Sequence, residues 1–181
     1  MPEAAVMLAV AEWLFSRGAT EVRAHPDGLH MKDFDMPGWL EGRGFRRVST
    51  TGKRGVSGTF ERGSQQITIH SKPGLGDVVA TLDGVEVEVE TKGGVINSRH
   101  PGRLSRLRKG LHEAVGQLMA SPRGEGQLIA AVPSHPETLK VAEKLRERCS
   151  RVGITLALIE RDGRVNVVGP NRQEACASRS A

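Results

Sequence analysis

Two alternating runs joined by Asp83-Gly84 constrain this chain more than any other feature. Asp-Gly between such runs is the dipeptide preferred in a two-residue type I′ turn, whose twist matches that of paired strands. The spacing predicts a hairpin of Asp77 to Leu82 and Val85 to Lys92, with facing residues whose numbers sum to 167. Val85 then opposes Leu82, Val87 opposes Ala80 and Val89 opposes Val78, forming an apolar face. The other face carries Glu86, Glu88, Glu90 and Lys92 against Thr81, Val79 and Asp77. Asp77 falls directly across from Glu90, where two carboxylates repel unless something positive lies between them. A divalent cation resolves the conflict. Mg²⁺ is commonly held by one or two carboxylates with water and phosphate oxygens, and Lys92 projects from the same face.

The rest of the chain supplies layers around this hairpin. Val6, Val10, Trp13 and Leu14 share one face of a predicted helix over 3–17, ending at Arg17-Gly18. From Val22 to Gly63 the pattern is irregular, with a short helix at 37–43 and strands near 45–50 and 56–62. Ile67 and Ile69 mark a further strand, followed by a turn over 72–77. Leu104, Leu107, Leu111, Val115 and Leu118 predict a basic helix over about 103–120. Leu128 to Val132 reads as a buried strand. Ser134-His-Pro-Glu137 reads as a capping box opening a helix with Leu139, Ala142, Leu145 and Cys149 inward. Strands at 154–159 and 165–168 follow. A strand, crossover helix and strand imply a parallel pair, so the expected class is α/β with a mixed central sheet flanked by helices.

At 181 residues one domain is expected over 1–170, with the polar segment 171–181 a disordered tail. The longest apolar stretch, Ala4 to Ala11, is too short to span a bilayer. It also lacks the flanks of a signal peptide, so no membrane partner and a cytoplasmic location are expected. Cys149 and Cys176 suit a reducing compartment, both thiols reduced. Lys plus Arg exceed Asp plus Glu by 26 to 21, a net charge of +5, which favours an anionic partner. With four Phe, two Trp and no Tyr, a base-stacking platform lacks its materials. Contacts to nucleic acid should then fall mostly on phosphates.

Gly76-Asp77, thirteen residues, then Glu90-Thr91-Lys92 resembles the motif of the PD-(D/E)XK nuclease superfamily. That superfamily includes restriction enzymes, Holliday-junction resolvases and recombination nucleases. The order of first helix, three-strand meander carrying the motif, helix, strand, helix and strand is similar to its restriction endonuclease-like core. The resemblance implies a Mg²⁺- or Mn²⁺-dependent DNA endonuclease, restriction- or resolvase-like. It implies Asp77, Glu90 and Lys92 as catalytic residues, and Asp77, Glu90 and Thr91 as the metal set. An acidic residue of the first helix, Glu12 ahead of Glu3, and Gln117 of the following helix would join them. The chain departs from the family in carrying Gly76 where a proline is expected. Ser121 also stands where some branches have a tyrosine after the glutamine.

Arg99, Arg103, Arg106, Arg108 and Lys109 follow the motif with no acid among them, a segment suited to the phosphates of double-stranded or branched DNA. Arg43, Arg46, Arg47, Lys53 and Arg54 form a looser second cluster. His70 is expected as a surface residue, Pro26-Asp27 as a turn, and His25 outside the chemistry. Cutting both strands of a duplex recruits two active sites, so a homodimer is expected. The competing readings are a noncatalytic nucleic-acid-binding protein of the same fold, or an interaction subunit for which the basic segment is a protein contact.

Overall fold

The computed structural model describes residues 1–27, 34–51, 56–70, 72, 74, 76–121 and 126–169. Its helices are α1 (Glu3–Ser16), α2 (Met36–Glu41), α3 (Pro101–Ala120) and α4 (Pro136–Arg151). Its strands are β1 (Glu21–Ala24), β2 (Arg46–Thr51), β3 (Ser57–Arg62), β4 (Gln65–Ile69), β5 (Val78–Leu82), β6 (Val85–Thr91), β7 (Gln127–Pro133), β8 (Ile154–Ile159) and β9 (Val165–Val168). The strands form one mixed sheet in the order β2-β3-β4-β1-β5-β6-β7-β8-β9. The protein is therefore α/β, with helices on both faces of a large mixed sheet. Residues 170–181, and with them the expected tail, lie outside the described residues.

The hairpin forms in the expected register, Val78 facing Val89 through Leu82 facing Val85. Asp83 (φ 51°) and Gly84 (φ 77°) both take the left-handed conformation that a type I′ turn requires. Val87 and Val89 are fully buried, whereas Val85, beside the turn, is 41% exposed. The two crossovers give parallel pairs, β6 with β7 through α3 and β7 with β8 through α4.

One expectation of the topology fails. The three-strand meander is interrupted, because β1 enters between β4 and β5, parallel to the first and antiparallel to the second. Glu-Val-Arg-Ala is too short for its alternation to stand out within an irregular, glycine-rich region. Its Val22 and Ala24 nevertheless complete a continuous apolar face with Ile67, Ile69, Val78 and Val89. Helix α1 packs on that face and is buried nearly all round, Leu8 and Ala9 as well as Val6 and Val10. It also touches α2 and β9, which cover the side that an amphipathic helix would leave wet.

On the opposite face, Leu111, Ala114 and Leu118 of α3 and Val141 and Ala142 of α4 pack on Ala130, Val132, Leu156 and Leu158. Helix α4 begins one residue later than the capping-box reading. His135 is the N-cap, its ring accepting from Glu137 N, while the Thr138 hydroxyl accepts from His135 N. Ser134 instead donates to Glu160. Thr138 and Val141 face inward with the expected Ala142 and Cys149, whereas Leu139 is 42% exposed. Among the described residues no helix is long and apolar enough to cross a membrane.

Candidate functional site

Strand β6 outruns β5 at the end where the motif lies. Asp77 N still donates to Val89 O (3.0 Å), but the next outward donor on β6, Thr91 N, has no β5 carbonyl to meet. The Asp77 side chain takes that place. Its Oδ2 accepts from both the Thr91 backbone N–H and the Thr91 hydroxyl, each at 2.8 Å. On the far side of β6, Lys92 N donates to Ala131 O (3.0 Å). In a parallel ladder Ala131 engages residues 90 and 92, which leaves both main-chain groups of Thr91 on the Asp77 side.

Gly76 makes this entry possible. Its φ is +133°, and a Cβ there would lie 2.9 Å from Glu88 Cγ. A proline, held near −65°, cannot take that conformation, so the departure from the family motif follows from the local backbone. Glu88 itself is only 4% exposed and accepts from the Ser121 hydroxyl (2.9 Å) at the C-terminal end of α3.

Glu90, across from Asp77, has its carboxyl pushed up to about 7, chiefly by burial and next by the Asp77 charge, against the opposing pull of Lys92. The Lys92 stem lies against α3, where a Cβ on Gly110 would come within 3.2 Å of Lys92 Cβ. Its Nζ is 3.5 Å from Glu3 Oε1. Glu3 also accepts from Gly93 N through Oε2 (3.2 Å), so the first turn of α1 braces the end of the motif strand.

Of the two acids of α1, Glu3 thus meets the motif strand and Glu12 does not. Glu12 lies nine residues further along α1, about 13 Å by helical rise, and pairs with Arg62 at 3.0 Å. Arg62 also bonds Gln65 and the Arg43 carbonyl and stacks over Phe45, so Glu12 belongs to a structural knot at the other end of the helix. Gln117 is not brought to the acids either. It is exposed on α3, two turns beyond the glycine that touches Lys92.

The basic segment divides. Arg99, Arg103, Arg106 and Lys109 are exposed, and a depression of about 530 Å³ at the start of α3 is lined by His100, Gly102, Arg103 and Arg106. Arg108 is instead held by Glu137 of α4 at 2.6 Å. Its bond, with that of Lys140, keeps the Glu137 carboxyl below its usual range. The second basic cluster is largely spent on packing, Arg43 over Trp39 and Arg47 over Phe60, while Lys53 and Arg54 lie outside the described residues.

The fold also creates a histidine pair that sequence reasoning misses. His25 N donates to Asp77 O (2.8 Å) and His70 N to Ala24 O (2.8 Å), so His25 follows the end of β1 beside Asp77 and His70 follows the end of β4, one strand further out. Their rings stack at 4.6 Å between centroids and 6° between planes. Burial, then His25 and Arg23, lowers the His70 pKa. No local signal announces the pair, because it exists only once β1 is seated between β4 and β5.

Asp77, Glu90 and the Thr91 carbonyl are oxygen donors of the kind hard cations take. Among the described residues no group of three or more His, Cys, Asp or Glu could hold a metal ion, so water and substrate would have to supply the rest of the shell. Compared with protein-family models, curated proteins and solved structures, the chain matches none.

Proposed function

We propose that the chain is a metal-dependent nuclease of the PD-(D/E)XK type, with a restriction endonuclease-like core, that hydrolyses phosphodiester bonds in DNA using Mg²⁺ or Mn²⁺. What supports it is the Asp77–Glu90 pair: Glu90 on β6 and Asp77 just before β5, the Glu90 carboxyl pushed up to about 7 because nothing among the described side chains offsets both burial and its neighbour. A bound divalent cation in such a site lowers the pKa of its water and stabilises charge in an in-line displacement. Asp77, Glu90 and the Thr91 carbonyl are the groups that would hold it. Lys92, steadied by Glu3, is the residue to contact the attacking water and the scissile phosphate. Arg99, Arg103, Arg106 and Lys109 hold neighbouring phosphates and offset the negative site that a polyanion must approach. A cytoplasmic homodimer acting on double-stranded or branched DNA accompanies this function.

The decisive experiment incubates the protein with supercoiled, linear, single-stranded and branched DNA, with Mg²⁺, with Mn²⁺ and with chelator. Cleavage that requires metal and disappears in Asp77→Ala, Glu90→Ala and Lys92→Ala is the expected result. DNA bound but never cut would instead identify a noncatalytic binding protein. Absence of salt-dependent binding would identify an interaction subunit.

A further inference from the structure

Beyond Asp77, among the described residues, no helix packs on the polar face of the sheet. Helices α3 and α4 pack on β6 to β9, and α1 lies on the other face. Carried one residue past the last paired positions, the register sets Glu90, Asp77, His25 and His70 in one row at the ends of four neighbouring strands. Arg23 lies two residues before His25, on the same face, and is exposed. Its cross-strand neighbours are Thr68 and Val79, neither a carboxylate, and among the described residues no ion pair holds it. Glu21, also exposed, is the nearest acid on its own strand and sits beside Gln66.

The imidazole pair gives this corner a fixed shape. His25 Nδ1 lies 3.1 Å from Lys72 O, a carbonyl that only accepts, so the ring donates there. Gly74 lies against one face of the His25 ring, where a Cβ would come within 2.5 Å, and His70 covers the other. A histidine at a strand end is ordinarily mobile, but this one is clamped on both faces and along one edge. The acids of the site are therefore flanked by two non-acidic sets, the α3 arginines on one side and Arg23 with the clamped histidines on the other. Repulsion between the acids and a polyanion needs offsetting on both sides if the strand runs on past the site, and on one side only if it ends there.

We propose that Arg23, beside the stacked His25–His70 pair, holds a phosphate of the substrate strand on the opposite side of the cleavage point from Arg103 and Arg106, so that the strand crosses the sheet and is cut internally. This rests on the nuclease function proposed above. The strand lies across the β-strands, from the depression at the start of α3, over Asp77 and Glu90, toward the exposed Arg23 on β1. Neighbouring strands are spaced about 4.8 Å apart, so Arg23 reaches a phosphate near the scissile one, not a distant one. Asp77 lies between the two phosphate-holding groups.

The test replaces each phosphate in one strand of a labelled duplex DNA oligonucleotide, one at a time, with an uncharged methylphosphonate. Affinity is read by anisotropy with Ca²⁺ and cleavage position with Mg²⁺. In the unaltered protein two separate positions, one on each side of the cut, should each weaken binding about tenfold. Arg23→Ala should abolish sensitivity at one of them, and Arg103→Ala with Arg106→Ala at the other. Arg23→Lys should recover part of the first, and its unfolding midpoint shows that the strand is intact. If Arg23→Ala weakens binding equally at every position, or at none, the second phosphate site is wrong while the nuclease function stands. If no oligonucleotide is bound or cut with any ion, both are wrong.

Discussion

At Glu90, burial and the Asp77 charge outweigh the attraction of Lys92, and this sets a testable pH dependence. The folded carboxyl titrates near 7, above its unfolded value of 4.5, so the native chain binds more protons than the unfolded one between those values. Stability of the metal-free protein from this source is full below 4.5 and falls as pH rises through about 7. His70 acts in the opposite sense, its lowered pKa making stability rise as pH increases through the ordinary histidine range. Comparing Glu90→Gln with the unaltered protein separates the two. Urea unfolding in chelator should give equal stabilities at about pH 4 and an advantage of about 1 kcal/mol for Glu90→Gln at about pH 8, after allowance for solvent screening. An offset independent of pH would mean that Glu90 is fully solvated. The two acids of α1 give a second residue-scale prediction. Glu3→Gln should lower kcat about tenfold or more by loosening Lys92, with little change in Tm. Glu12→Gln should leave kcat unchanged and cost at most about 1 kcal/mol through Arg62. The resemblance indicates an acid from this helix. Which acid depends on which end of the helix meets the motif strand, and no local pattern carries that.

For the elements, the hairpin is legible in full because turn chemistry and period-2 alternation both act over neighbouring residues. Val87, buried on its apolar face, gives the simplest check: Val87→Asp should prevent folding by placing an unpaired charge in the core. At its entrance Gly76→Pro should destabilise the protein more than Gly76→Ala, since both meet Glu88 but only proline also fixes φ away from +133°. Thermal unfolding of the two variants decides the order. Helix α3 is legible from its leucines, yet the fate of its charges is not, because Arg108 finds its acid on α4 and not within its own segment. A triple Arg99→Ala, Arg103→Ala, Arg106→Ala variant should reduce the slope of log affinity against log salt by roughly 0.9 for each phosphate no longer held, with no change in sequence preference. Anisotropy at several salt concentrations measures it, and an unchanged slope would remove this segment from the nucleic-acid surface. Arg108→Ala should instead lower Tm and leave the slope nearly unaltered.

Across the whole molecule, metal binding should appear as stability. Millimolar Mg²⁺ or Mn²⁺ is expected to raise the Tm of the unaltered protein and not that of Asp77→Ala, because a ligand that binds only the native state stabilises it by mass action. Identical melting curves with metal and with chelator would count against a site formed before substrate arrives. At this scale the sequence is least informative: the α/β layering follows from the order of segments, but the place of β1 between β4 and β5 does not, nor does the row that joins His25 to Asp77. That insertion also governs how the chain can be made. Emerging from a ribosome, β1 is complete at Ala24, while its neighbours are complete only at Ile69 and Leu82. Until then Val22 and Ala24, and the almost wholly apolar α1 before them, have no sheet to settle on. Closing so long a loop must precede any reward from the pairing it allows, so the N-terminal third of the nascent chain waits exposed for its partners. During that interval it is the part of the protein most in need of shelter from aggregation.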